Sequence, residues 1–224
     1  MEENNRPFSI AILAGGSSSR FQSEKALMHF EGQLLVQRAV SKYCTLSPDV
    51  FFQLRKDQTD IISAIGDIEG YDVGIYHDSR EGIGPLSGIV DALKNANHDH
   101  VFMVAVDLPH IDERLVRSLS AMMVKGIDVA VPRWDAGYLE PLSGLYSKNL
   151  IAPLETFMEN GARGSKRANG KRGPGIQYAI TRLTDSGHRA TFLNVEDFLR
   201  EHGLERHYFA NINHPQDCIF SAGD

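Results

Sequence analysis

The sequence predicts an α/β fold built on a single doubly wound, mostly parallel sheet, and three observations carry that prediction. Short apolar runs recur along the chain, stretches with helical spacing separate them, and unusual polar residues or glycines stand where the runs end. Strand-helix alternation of this kind favours a parallel sheet with helices on both faces. The runs at 10–14, 50–54, 73–76, 101–106 and 127–131 read as buried strands. Leu35, Ala39 and Tyr43 recur every four residues, and Ile111, Leu115, Leu119 and Met122 every three or four, so both sets predict helices. The sequence shows neither internal repeats nor coiled-coil heptads.

Composition narrows the class. With 224 residues, 42% hydrophobic and 23% charged, the chain can bury a substantial core as one domain spanning 1–224. No 18-residue apolar stretch occurs, and the polar start, Met1-Glu2-Glu3-Asn4-Asn5-Arg6, lacks the basic-then-apolar pattern of a signal peptide. A cytoplasmic protein without membrane association is expected. Cys44 and Cys218 are the only cysteines, and no Cys/His group has zinc-ligand spacing, so reduced, structural thiols are expected. A formal net charge of -6 argues against general nucleic-acid binding. One stretch runs against that charge. Residues 161–175 carry Arg163, Lys166, Arg167, Lys171 and Arg172 with no acid, either as a mobile, solvated basic loop or as a flap that grips an anionic substrate.

In an open α/β sheet the ligand lies beyond the carboxyl ends of the strands, where strand order reverses. Gly15-Gly16 after the first run, Gln53 closing the second, His77-Asp78 after the third and Asp107-Leu108-Pro109 after the fourth occupy such places. Glycine lets backbone N–H groups approach a ligand closely, as a phosphate-cradling turn requires, although an ordinary strand-to-helix turn also uses glycine. Arg20 and Lys25 lie at the start of the following helix, where the positive dipole end makes cations mildly unfavourable. Two of them together point to a bound anion. Asp107 would cap a helix or shape a turn in the plainer reading. Opposite a glycine turn it also suits Mg²⁺, which is usually held by one or two carboxylates plus substrate phosphates.

Several common alternatives lack their motifs. The chain has no G-x-G-x-x-G after the first strand, no G-x-x-x-x-G-K-[ST] and no G-x-S-x-G elbow. Instead, Leu13-Ala14-Gly15-Gly16 with Arg20 and Lys25 resembles the L-A-G-G-x-x-x-R-M-G-x-D-K signature of nucleotidyltransferases that activate sugars, terpenoid precursors and cofactors. "GPLSGI" at 84–89, "DLP" at 107–109, "EPLSGLY" at 140–146 and "NINHPQD" at 211–217 extend the likeness. Together they resemble the molybdenum cofactor guanylyltransferases, which join GMP to molybdopterin, from about residue 10 to 217 except roughly 161–206. The chain departs from that pattern at Phe21, Gln22, Glu24, Gln53 and His214, mostly on the base side, with the phosphate-handling positions intact.

The resemblance implies a Rossmann-like fold of the nucleotide-diphospho-sugar-transferase type, with GTP and molybdopterin as substrates and Mg²⁺ as cofactor. It implies catalytic roles for Arg20, Lys25 and Asp107, with Asp107 as the metal ligand. Leu13, Ala14, Gly15, Gly16, Lys25, Gln53, Asp78 and Asp107 would bind the nucleotide, and Glu140, Asn211 and Asn213 the acceptor. Asparagines two apart are otherwise common turn formers. Arg163 and Arg167 suit a pterin phosphate by charge, and Trp134 and Tyr138 could stack on a pterin, although loop aromatics more often cover core. Proteins of molybdenum cofactor biosynthesis, or acceptor proteins, would be partners. A cytidylyltransferase, a sugar-phosphate nucleotidyltransferase and a non-catalytic nucleotide-binding module remain the alternatives.

Overall fold

The computed structural model describes residues 7–14, 25–66, 68, 70–80, 85–162, 175–213 and 217. Nine strands are described: β1 (Ser9–Leu13), β2 (His29–Phe30), β3 (Gln33–Leu34), β4 (Val50–Leu54), β5 (Gly74–His77), β6 (His100–Ala105), β7 (Val129–Arg133), β8 (Ser143–Ser147) and β9 (Ala190–Asn194). The helices are α1 (Leu35–Tyr43), α2 (Thr59–Gly66), α3 (Pro85–Asn95), α4 (Glu113–Met122), α5 (Ile151–Ala162), α6 (Ile176–Asp185) and α7 (Val195–His202). Strands β2 and β3 form a small antiparallel hairpin. The other seven make one sheet in the order β5-β4-β1-β6-β8-β7-β9.

Strand β8 alone runs against its neighbours, so the β6–β8 and β7–β8 pairings are antiparallel and the rest parallel. The mostly parallel sheet expected from the sequence is therefore present, with one reversed strand inside it. The chain lays β4 and β5 on one side of β1 and then crosses to β6 on the other. Strand order thus reverses between β1 and β6, and the crevice at their carboxyl ends is the topological switch point. Because β8 is reversed, its start lies at the same rim: Ser143 pairs with Val104, and the Ala105 amide donates to Leu142 O at 3.0 Å.

Strand alternation divides the core into two layers. Ile10 and Ile12 of β1 and Phe102 and Val104 of β6 pack on one face with Leu35, Val40, Leu115 and Phe198. Ala11, Leu13, Val101 and Met103 pack on the other with Leu86, Ile89, Leu93, Leu154 and Ile180. Helices α1, α2, α4 and α7 cover the first face, and α3, α5 and α6 the second. The boundaries of β1, β5 and β6 fall one residue from the ranges expected, and β7 begins at Val129 rather than at residue 127. Strands β8 and β9 have no counterpart among the predicted strands. Cys44 is a free thiol whose pKa burial raises. Cys218 and nearly all of the 161–175 stretch lie outside the described residues, its cations Arg163, Lys166, Arg167, Lys171 and Arg172 included. No described helix is long and apolar enough to cross a membrane.

Gly144 explains how β8 fits between β6 and β7. A Cβ at this position would stand 2.6 Å from Val131 Cγ1, 3.0 Å from Tyr146 Cε2 and 3.3 Å from Ala130 O. The β-branched Val131 cannot swing aside freely. Gly144→Ala should therefore destabilise the protein by about 1–3 kcal/mol through overpacking, read as a lower urea midpoint with unchanged slope. An unchanged midpoint would contradict this packing.

Candidate active site

At the carboxyl end of β1 the chain is tied to both neighbours. Val106 N donates to Leu13 O at 3.1 Å, and Ala14 N to Gln53 O at 3.3 Å. Gln58 Nε2 donates to Ala14 O at 2.9 Å, while its Oε1 accepts from Arg55 N at 2.8 Å. The Ala14 amide is thus used within the sheet, and of the sequence-predicted nucleotide cradle only Leu13 and Ala14 are described, not Gly15 and Gly16. Those glycines lie outside the described residues, as do Arg20, Phe21, Gln22, Glu24 and His214.

Three of the expected residues converge at the switch point. Lys25 Nζ donates to Asn213 Oδ1 at 2.7 Å and lies 3.5 Å from Asp107 Oδ2. The Lys25 and Asp107 side chains are only 13% and 15% exposed, so this charge pair is largely shielded from water. Burial pushes the Asp107 carboxyl above its ordinary pKa, and the nearby Lys25 ammonium offsets part of that rise. The chain end reaches this point because Ile212 N donates to Asp107 O at 2.9 Å. Asn213 is then braced by its amide on Asp217 Oδ2 at 2.7 Å and its side-chain nitrogen on Asn211 O at 3.3 Å. Asn211 itself is exposed and enters this group through its backbone carbonyl.

Gln53 and Asp78 form a second group on the β4–β5 side. Gln53 was expected to touch a nucleoside, but it is 1% exposed, because its place in β4 turns the side chain toward α3. Its Nε2 donates to Asp78 Oδ1 at 3.0 Å, and its Oε1 accepts from Asn95 Nδ2 at 3.1 Å. Gln53 therefore holds Asp78 from below. Burial raises the Asp78 pKa, the bond from Gln53 opposes it, and Asp91 adds to the rise.

Glu140 reaches the rim beside β8 and bonds to Trp134 rather than to Lys25. Its Oε1 accepts from Trp134 Nε1 at 2.7 Å, and burial raises its pKa against that bond. Trp134 packs edge-on against Phe209 and carries Arg206 over its ring, so it covers core as well as bordering the rim. Tyr138 is 65% exposed.

Comparison with known proteins follows the same lines. Residues 10–175 match the family model of the MobA-like NTP transferase domain. The chain belongs to the MobA-like NTP transferase family. A probable molybdenum cofactor guanylyltransferase of Methanosarcina acetivorans is 30% identical over 93% of this chain and 87% of its own length. One from Methanosarcina mazei is 27% identical over 96% and 91%. The fold resembles that of molybdopterin-guanine dinucleotide biosynthesis protein A from Archaeoglobus fulgidus, with a TM-score of 0.71 and 24% identity over 96% of each chain. It also resembles 4-diphosphocytidyl-2C-methyl-D-erythritol synthase from Anaerococcus prevotii, with a TM-score of 0.68 and 15% identity over 98% of this chain and 96% of that one. In this family member Leu13 and Ala14, Lys25, the post-strand Asp107 and Asn213 of the N-x-N segment are thus set around one crevice.

Sequence reasoning missed the residues that hold the Asp107 loop. From α1, Arg38 Nε donates to Pro109 O at 3.4 Å, Lys42 Nζ to Pro109 O and to Ile111 O, and Tyr43 Oη to Ile111 O at 3.3 Å. Tyr208 Oη donates to Asp112 Oδ1 at 2.9 Å and accepts from Asp112 N at 3.1 Å. Carbonyl acceptors supplied by a distant loop leave no pattern in sequence. Burial lowers the Lys42 pKa from 10.5 to about 8. The folded state thus binds this proton less tightly than the unfolded state, which costs stability below about pH 8 and is relieved as pH rises from about 8 toward 10.5. Relative to Lys42→Met, the wild type should gain on the order of 2 kcal/mol of unfolding free energy across that window, allowing for partial exposure. Parallel denaturation curves for the two proteins at pH 7.5 and 10.5 test this, and a constant difference would contradict it.

Proposed function

We propose that this chain transfers GMP from GTP to molybdopterin. A terminal phosphate oxygen of the acceptor attacks the α-phosphorus, a new phosphorus-oxygen bond forms, and the bond to the bridging oxygen breaks as pyrophosphate leaves. The observation that carries the reading is the Lys25 ammonium held between Asp107 and Asn213 at the switch point. The family membership and the names of the Methanosarcina relatives support the same chemistry.

Such a transfer needs no covalent intermediate with the protein. It needs in-line positioning and neutralisation of charge, with donors fixed before the reaction begins. Lys25 would stand as a point charge near the α-phosphate, and Arg20 would grip the departing pyrophosphate through its planar fork. Gly15 and Gly16 would offer amides to the phosphates, Asp78 would face the nucleoside with Gln53 behind it, and Glu140, Asn211 and Asn213 would face the acceptor. Trp134 would fix the direction of the Glu140 carboxylate through its indole N–H.

Magnesium belongs to this proposal. The donor chemistry fits it: Asp107 offers a hard carboxylate oxygen at the crevice, where a single ammonium stands 3.5 Å from its Oδ2. Mg²⁺ asks for one or two carboxylates beside phosphates and water, and Asp107 supplies one. When bound, the ion would neutralise charge on the triphosphate. Cytoplasmic location, and handover of product to proteins of molybdenum cofactor biosynthesis or to acceptor proteins, complete the proposal.

Incubation with Mg²⁺, molybdopterin and GTP, CTP or ATP, followed by mass analysis, should give the guanine dinucleotide product and pyrophosphate. Release of pyrophosphate only from CTP would favour a cytidylyltransferase, and GTP binding without turnover would favour a non-catalytic module. Lys25→Ala and Asp107→Ala should each lose about 10²- to 10³-fold in turnover, the usual effect of removing one charge aimed at a developing oxyanion. A folded variant keeping more than about a third of wild-type turnover contradicts the role assigned to that residue.

A further inference from the structure

Helix α3 carries more polar groups than its place in the core requires. Leu86, Ile89, Val90 and Leu93 pack into the apolar layer, as expected of a helix lying on a sheet. Gly88, Asp91 and Asn95, spaced three and four residues apart, form one stripe toward the end of β5. Burying such groups costs free energy unless each finds a partner, and each does. Asp91 is 6% exposed and accepts from Ser79 N at 2.8 Å and from Ser79 Oγ at 2.8 and 3.0 Å. Asn95 donates to Gln53, and Gln53 to Asp78. A Cβ on Gly88 would lie 3.7 Å from Asp78 Oδ1, so the carboxylate rests directly over the helix.

Asp78 is thereby fixed at three points. Its amide donates to Leu54 O at 2.7 Å, its Oδ1 accepts from Gln53, and the residue after it is anchored by Asp91. The Asp78 Oδ2 atom has no protein partner among the described residues. A carboxylate oxygen accepts hydrogen bonds and donates none, so its complement on a base is an N–H edge. Guanine presents two adjacent donors, N1–H and the 2-amino group. Hypoxanthine keeps only N1–H, and cytosine sets its amino group beside an acceptor that a carboxylate repels.

We propose that Asn95 and Gln53 are a positioning relay for base selection, directing the open oxygen of Asp78 at the N–H edge of the bound base. This rests on the guanylyl-transfer reading and extends it to residues that touch no substrate. The relay has a polarity: Asn95 donates, so the Gln53 amide turns its oxygen toward Asn95 and its nitrogen toward Asp78. An acceptor at position 95 would reverse that amide and set its oxygen against the carboxylate. A site built to pair with polar groups of one substrate discriminates sharply against those lacking them, and loses that discrimination when its own groups are misaligned.

Calorimetric affinities for GTP, ITP and CTP, compared among wild type, Asn95→Leu and Asn95→Asp, test the proposal. Wild type should prefer GTP over ITP and CTP. Asn95→Leu, which only removes the donor, should lose roughly tenfold of the GTP-to-CTP preference, and Asn95→Asp, which reverses the relay, should lose more. CTP and pyrophosphate affinities should stay within about twofold of wild type in both variants, because the phosphate side is untouched; a merely structural defect would lower all of them together. If Asn95→Asp does not fold, Asn95→Leu decides the matter alone. Unchanged preference in a folded Asn95→Leu overturns the relay and leaves guanylyl transfer standing. A wild type without preference for GTP overturns the guanine reading and the relay with it.

Discussion

One largely buried ion pair stands where the sheet changes direction, and the rest of the site is arranged around it. Lys25 and Asp107 are 82 positions apart in the chain and meet only because β1 and β6 are hydrogen-bonded neighbours whose carboxyl ends share one crevice. Water would weaken such a pair to almost nothing, and it is their shielding that keeps the two charges strong toward any third charged group brought into the crevice. Asn213 completes the arrangement by giving the lysine a neutral acceptor, which holds the ammonium in place without cancelling its charge.

Around that pair, rigidity comes from both sides of the sheet. Helix α1 reaches across with Arg38, Lys42 and Tyr43 to take up the carbonyls that follow Asp107, so the loop carrying the carboxylate is held by groups outside its own strand. The segment bearing Asn213 docks by a backbone bond to Asp107 itself. On the opposite face α3 performs the same service for Asp78, through side chains that a purely apolar helix would lack. Catalysis by positioning requires such supports, because small displacements of charge at a reacting phosphorus are costly.

Much of this was legible in sequence, and the pattern of what was not is physical. Strands buried on both faces announce themselves as apolar runs, as β1, β4 and β6 do, and β5, a partly exposed strand at the sheet edge, still carries enough apolar residues to be legible to within a residue. Strand β8 escaped because Ser143-Gly144-Leu145-Tyr146-Ser147 carries a glycine and two serines, which read as turn, whereas here the glycine makes room for Val131. Strand β9, with every residue only partly buried, gives a weaker signal. Lys25, Asp107 and Asn213 were identified by motif, and the structure brings them within bonding distance of one another. Gln53 stands at the strand end where the sequence puts it, but its side chain is buried against Asp78 and Asn95, since position along a strand does not tell which face a long polar side chain serves. Lys42, Gln58, Asp91 and Asn95 gave no sequence signal at all. Their partners are backbone carbonyls and polar atoms brought near by the fold, and nothing local marks them.

A crystal structure of the protein with Mg²⁺ and a non-hydrolysable GTP analogue would show where the nucleotide lies. The triphosphate is expected over the β1–β6 crevice, with Lys25 Nζ within hydrogen-bond distance of a phosphate oxygen and Asp107 facing the ion. A nucleotide bound elsewhere, or Lys25 still occupied by Asp107 and Asn213 alone with the phosphates beyond its reach, would contradict this placement.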